Sequence, residues 1–179
     1  MCGQNMKDNE ILISLQEIFD TTNQTLSWDK VGSKDQTLFT VEGEQFQLYI
    51  ENFDLSELLH KKEYQFVYEV SFTKLNTFTR TKSYKSDGKA ITSQSLAVFS
   101  IVINAVKSKI PHAEVIFFNA KKGDEVFESL KALYQRLTSS LCKRMNLSSL
   151  IKEYDDFELY VLSKNSINVE LVDHLVKLI

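Results

Sequence analysis

The sequence predicts one α+β domain, a mixed and mainly antiparallel sheet flanked by helices. Three observations carry that expectation. Period-two apolar runs occupy the stretch between Thr37 and Phe72. Two apolar segments of helical length follow, around Leu96–Ile110 and Val126–Leu141. Short apolar strand-like runs, "AEVIFF" and "DFELYVLSK", alternate with those segments. A chain of 179 residues fits one domain. The expected organisation is a flexible N-terminus over residues 1–8, a helix over 9–20, an α+β core over 37–162 and a C-terminal helix over 167–179.

Each element has its own signal. Ile11, Leu12, Leu15, Ile18 and Phe19 have amphipathic helical spacing, and Thr21-Thr22-Asn23 ends the run. Phe39/Val41 and Phe46/Leu48/Ile50 alternate about Glu42-Gly43-Glu44, which reads as a hairpin with Gly at its turn. "LSELLHKK" reads as a helical turn or loop. "EYQFVYEVSF" puts Tyr64, Phe66, Tyr68, Val70 and Phe72 on one face of a half-buried strand, and "TFTRTKSY" reads as its polar partner. Leu96, Phe99, Ile103, Val106 and Ile110 repeat at helical spacing, and Val98, Ile101 and Val102 fill the other sides. That helix belongs against a sheet with its back covered, and Pro111 stops it. Asp124 suits an N-cap, Val126, Leu130, Leu133, Leu137 and Leu141 form a buried stripe, and Lys143-Arg144 suit a last turn. The strand Val115–Phe118 and the strand Phe157–Val161 are neighbours, parallel or antiparallel.

Composition excludes several classes. A formal net charge of −3 gives no electrostatic footprint for nucleic acid or an anionic membrane. No apolar run approaches the roughly 18 residues of a membrane span. The start "MCGQNMKDNE" lacks the apolar centre of a signal peptide. Cys2 and Cys142 form no disulfide framework, so a cytoplasmic location is expected. His60, His112 and His174 have no ligand partners at metal-site spacing, and no metal is expected. Phosphate loops of the GxxxxGK type and serine nucleophile elbows are absent.

The order of elements from Thr37 to Phe157 resembles the GNAT acyltransferase fold. In that family antiparallel strands lead into a helix whose N-terminus holds the pyrophosphate of coenzyme A, followed by strand, helix and strand. The resemblance implies acetyl-CoA as cofactor. It aligns Lys85-x-x-Gly88-x-Ala90 with the family's Gln/Arg-x-x-Gly-x-Gly/Ala, and places the pyrophosphate on N–H groups around Gly88–Ser93. It puts the thioester along a splayed strand pair formed by Arg80–Tyr84 and Val115–Phe118. Tyr134, in "ALYQRL", resembles the family's general acid to the leaving thiolate, although the Gly-Phe that follows in the family is missing. Glu69 stands as a base for an amine substrate. The plainer account of the loop is a turn at Asp87-Gly88 and a Ser or Thr N-cap, with the helix starting near Ser93 or Ser95.

A second resemblance is to small uncharacterised bacteriophage proteins. Val98-Phe99-Ser100, the strand Ile116-Phe117-Phe118-Asn119-Ala120 and the Leu133–Leu137 stretch "LYQRL" carry it. It implies a phage or prophage origin. Together with the missing catalytic constellation and the charge and hydropathy above, it supports the expectation of an accessory protein without cofactor, acting in the host cytoplasm by binding a protein partner, with no nucleic acid or membrane involved. This non-catalytic reading is the first expectation, and the acyl-CoA-dependent N-acyltransferase is the alternative. The apolar end of the chain, Leu171, Val172, Leu175, Val176, Leu178 and Ile179, either covers the sheet or mediates a homodimer.

Overall fold

The structure, a computed structural model, describes residues 25–75, 93–122, 134–135 and 138–179. In chain order these form β1 (Asp29–Val31), β2 (Lys34–Val41), β3 (Glu44–Phe53), β4 (Val67–Leu75), α1 (Ser93–Lys109), β5 (Val115–Lys121), a helix α2 at 138–145, β6 (Ser148–Glu153), β7 (Phe157–Ser163) and α3 (Val169–Leu178). The seven strands make one sheet in the order β1-β2-β3-β4-β5-β7-β6. Every neighbouring pair is antiparallel except β4 and β5, which run parallel on either side of α1 in the chain. The fold is α+β.

The β2–β3 hairpin turns on Glu42-Gly43, with Val41 paired to Glu44. Both turn residues have positive φ, 51° and 81°, the mirror-image turn whose twist matches the flanking strands. Phe39 and Phe46 face each other across the hairpin with stacked rings 5.5 Å apart. A second two-residue turn, Gly32-Ser33, joins β1 to β2.

Helix α1 is buried on all sides from Val98 to Ile103, as its all-round apolar sequence requires. Its last turn closes through the Ile110 N–H on the Val106 carbonyl, and Pro111 offers no N–H to continue. One face of the sheet packs Phe39, Leu48, Ile50, Val70, Ile116 and Leu162 against α1 and Leu141 of α2. On the other face Val67, Val115, Phe117, Leu159 and Val161 lie under Leu171, Val172 and Leu175 of α3, with Leu55, Leu59 and Tyr64 alongside. The apolar end of the chain thus covers its own sheet.

Several expectations are corrected. The strand begins at Val67: Tyr64 belongs to a 3-10 turn (Lys62–Tyr64) buried beside α3, and Phe66 is exposed. Leu55 N–H bonds the Tyr64 carbonyl, so the 55–64 loop folds back and draws Tyr64 off the strand line. The open choice for the later strands resolves as antiparallel, with β7 directly beside β5 and β6 outside it. Strands β1 and β6 were not anticipated. The helix expected over 9–20, the polar strand "TFTRTKSY", Asp124 and the start of the second long helix lie outside the described residues. Of that helix's stripe, Leu141 is buried as expected.

Candidate functional site

The sheet is forked. β4 and β5 pair only at Val67↔Val115, Tyr68↔Ile116 and Glu69↔Phe117. Beyond that point β4 continues over residues 70–75 and β5 over 118–121 with no pairing between them. Each strand is meanwhile held by its outer neighbour along its whole length, β4 by β3 and β5 by β7. The halves β1–β4 and β5–β7–β6 are therefore firm, and they part from each other. The vertex is pinned by the Phe66 carbonyl, which accepts from the Glu114 and Val115 N–H groups at 2.9 and 3.2 Å. Past the vertex the facing edges of β4 and β5 have no strand partner among the described residues. Their N–H and C=O groups form ready-made hydrogen-bonding edges.

The direction of α1 follows from the chain path. β4 and β5 run the same way, so the helix between them runs back, and its N-terminal end lies where the fork opens. The first-turn N–H groups and the positive end of the helix dipole belong to that end. Ser93 is the first residue of α1. Lys85, Gly88 and Ala90 lie outside the described residues, as does Arg80–Tyr84. Among the described residues the strand that diverges from β5 is β4, Val67–Leu75, and the expected pairing of Val115–Phe118 with residues 80–84 falls outside them.

A cluster of five aromatic rings borders the fork on the α1 face. Phe99 of α1 meets Phe72 of β4 edge-on at 5.4 Å and Tyr134 edge-on at 5.1 Å. Tyr134 tilts against Phe118 of β5 at 6.3 Å and Tyr160 of β7 at 5.9 Å. Phe118 and Tyr160 stack at 4.7 Å, nearly parallel. Phe72 and Phe118 stand on the diverging lengths of the two strands, so the cluster spans the gap. Burial pushes the Tyr134 phenol up to about 12, so it keeps its proton across the neutral range. Tyr160 donates its hydroxyl proton to Glu158 Oε2 at 2.7 Å. Burial and this carboxyl raise its pKa as well, making it a weaker acid.

Glu69 occupies the last paired position of the fork but on the opposite face, the one packed under α3, which it shares with Val67. It stands directly across from Glu51 of β3. Glu51 accepts from the Ser33 hydroxyl and pairs with Lys34 Nζ at 3.0 Å. Burial raises the Glu69 carboxyl, Lys34 pulls it down and Glu51 pushes it up, with a net rise. Burial works against ionisation of Glu51 too, but the Ser33 and Lys34 hydrogen bonds outweigh it and hold that carboxyl low. The fork thus has a protonated phenol on one side and a carboxyl of raised basicity on the other. The two named site residues flank one feature without sharing a face.

Glu158 and Tyr160 were not singled out in the sequence. "FELYVL" reads as one inward phase, Phe157, Leu159 and Val161, whereas β7 is buried on both faces from Glu158 to Ser163. The near-continuous apolar run was the available signal, because it marks a central strand. Among the described residues no group of three His, Cys, Asp or Glu side chains is placed to hold a metal ion. No described helix is long and apolar enough to cross a membrane. No family model, curated protein or solved structure matches this chain, so its own geometry carries the functional argument.

Proposed function

We propose that this protein is an N-acyltransferase that uses an acyl thioester of the acetyl-CoA type. One observation carries the reading: a parallel strand pair that separates after three residues, open at the N-terminal end of the intervening helix. Strand edges whose amides have no strand partner among the described residues suit the amide-bearing arm of such a thioester. The helix end beyond it suits a pyrophosphate, in line with the GNAT resemblance and its loop at Lys85, Gly88, Ala90 and Ser93. The fork is also what favours this over a phage accessory protein acting by protein binding alone, which has no need of it.

In this reading the amine nitrogen attacks the thioester carbonyl carbon, the C–N bond forms and the C–S bond breaks. Glu69 takes the proton released by the amine, and its raised basicity helps. Tyr134 donates its O–H as a hydrogen bond to the sulfur as negative charge develops there. In this reading the thioester lies between the diverging strands, with acceptor and leaving thiolate on opposite faces of the sheet, next to Glu69 and Tyr134 respectively.

The test is thermal unfolding with and without millimolar acetyl-CoA, followed by release of free thiol in the presence of primary amines. Ligand at about 100 times its dissociation constant stabilises by about 2.7 kcal/mol, roughly 5–10 °C for a chain of this size. A shift that Gly88→Asp removes, together with amine-dependent thiol release, is the expected result. No shift at saturating concentration overturns the reading and leaves partner capture as the next experiment.

A further inference from the structure

A carboxyl and a phenol are enclosed together at the foot of the aromatic cluster. Glu158 is 1% exposed and Tyr160 0%. Two residues apart on β7, they share a face, and the Tyr160 hydroxyl donates to Glu158 Oε2 at 2.7 Å. Burying two such groups is costly, and an apolar pair of similar shape fills a core without that cost. Here the hydrogen bond fixes one ring in particular. Tyr160 lies flat on Phe118, and Tyr134 rests against both of them while Phe99 closes on it edge-first. Tyr160 is thus the wall behind Tyr134, and Glu158 is its anchor. Because the Tyr160 proton is committed to Glu158, Tyr160 is not itself the donor to a substrate.

We propose that the buried Glu158–Tyr160 hydrogen bond is a positioning device for Tyr134, holding the Tyr134 hydroxyl at the mouth of the fork. This rests on the reading of Tyr134 as hydrogen-bond donor to the leaving sulfur. Glu158 and Tyr160 act through Tyr134 and touch no substrate. The bond needs an acceptor at position 158 rather than a charge, so Glu158→Gln preserves the device and Tyr160→Phe removes it.

Two readouts test this on the full chain. Protein carrying carbon-13 at the tyrosine ring carbon that bears oxygen shows the Tyr134 signal as the one lost in Tyr134→Phe. That signal is expected to shift or broaden in Tyr160→Phe and to stay at its wild-type position in Glu158→Gln. In acetyl transfer, Tyr160→Phe is expected to lower kcat about tenfold with an unchanged KM for acetyl-CoA, and to add no further loss in a Tyr134→Phe background. An unmoved Tyr134 signal in a cooperatively melting Tyr160→Phe protein overturns the proposal, as does a kcat loss that persists in full without Tyr134. If Tyr160→Phe does not fold, Glu158→Met breaks the same bond from the other side and is read the same way. If wild-type protein neither binds nor turns over acetyl-CoA, the acyltransferase reading is what fails, and the Tyr134 signal alone then decides whether Glu158 and Tyr160 hold that ring.

Discussion

Tyr134 and Glu69 are shifted in the same direction by the same cause, burial, which favours the neutral, protonated form of each. With its pKa near 12, the Tyr134 phenol is a poor donor of a whole proton to an alkyl thiolate, whose own value is about 8.5. Full transfer would be uphill by about 5 kcal/mol, so the hydroxyl serves as a hydrogen-bond donor that never dissociates. Tyr134→Phe is expected to cut kcat by about 10- to 100-fold with unchanged acetyl-CoA affinity. That loss stays constant between about pH 6 and 9, because Tyr134 does not titrate there; steady-state rates across the range check it. For Glu69 the folded-state value lies above the unfolded one, so the folded protein holds the proton more tightly. The stability this gives is present below the unfolded value and lost as pH rises through the folded value. Glu69→Gln is therefore expected to melt higher than wild type at neutral pH and alike near about pH 3, as scanning calorimetry at the two pH values would show.

Among the elements, α3 shows how one polar side chain sets an apolar surface in place. Asn168 is its N-cap, with extended backbone and Oδ1 accepting from the Leu171 N–H at 2.8 Å, and Leu171 and Leu175 beyond it are fully buried. Asn168→Ala is expected to cost about 1 kcal/mol, measured as a shift in urea midpoint with unchanged slope. At the β2–β3 turn, Gly43→Ala places a Cβ in open space but at φ +81°, so the cost is backbone strain alone, about 1 kcal/mol or somewhat more. Elements of this kind were legible in the sequence wherever a periodic face met a local stop. The β2–β3 hairpin and α1 with Pro111 are such cases. β1 and β6 were not legible, since β1 has three residues, all exposed, and β6 is an edge strand with most of its residues exposed. Their pairing is set by neighbours rather than by their own apolar content. Tyr134 and Glu69 could be named from their local setting. The fork between them depends on which strand lies beside β5, and no local pattern encodes that.

For the molecule as a whole, the important fact is that a seven-stranded sheet is interrupted along one line. The α1 face holds the larger core cluster and the α3 face the smaller one, and both continue across β4 and β5 at the vertex. Beyond the vertex, among the described residues, the two halves are joined by the aromatic rings rather than by strand pairing. Among the described residues a break of this sort leaves amide groups of β4 without strand partners, and in the acyltransferase reading they bond the thioester arm. The direct measurement is amide hydrogen exchange of residues 70–75 with and without saturating acetyl-CoA. Slowing of these amides by about tenfold or more, with β2 and β3 unchanged, is the predicted result. Exchange at 70–75 that acetyl-CoA leaves unaltered would contradict the claim that the fork is where the thioester binds.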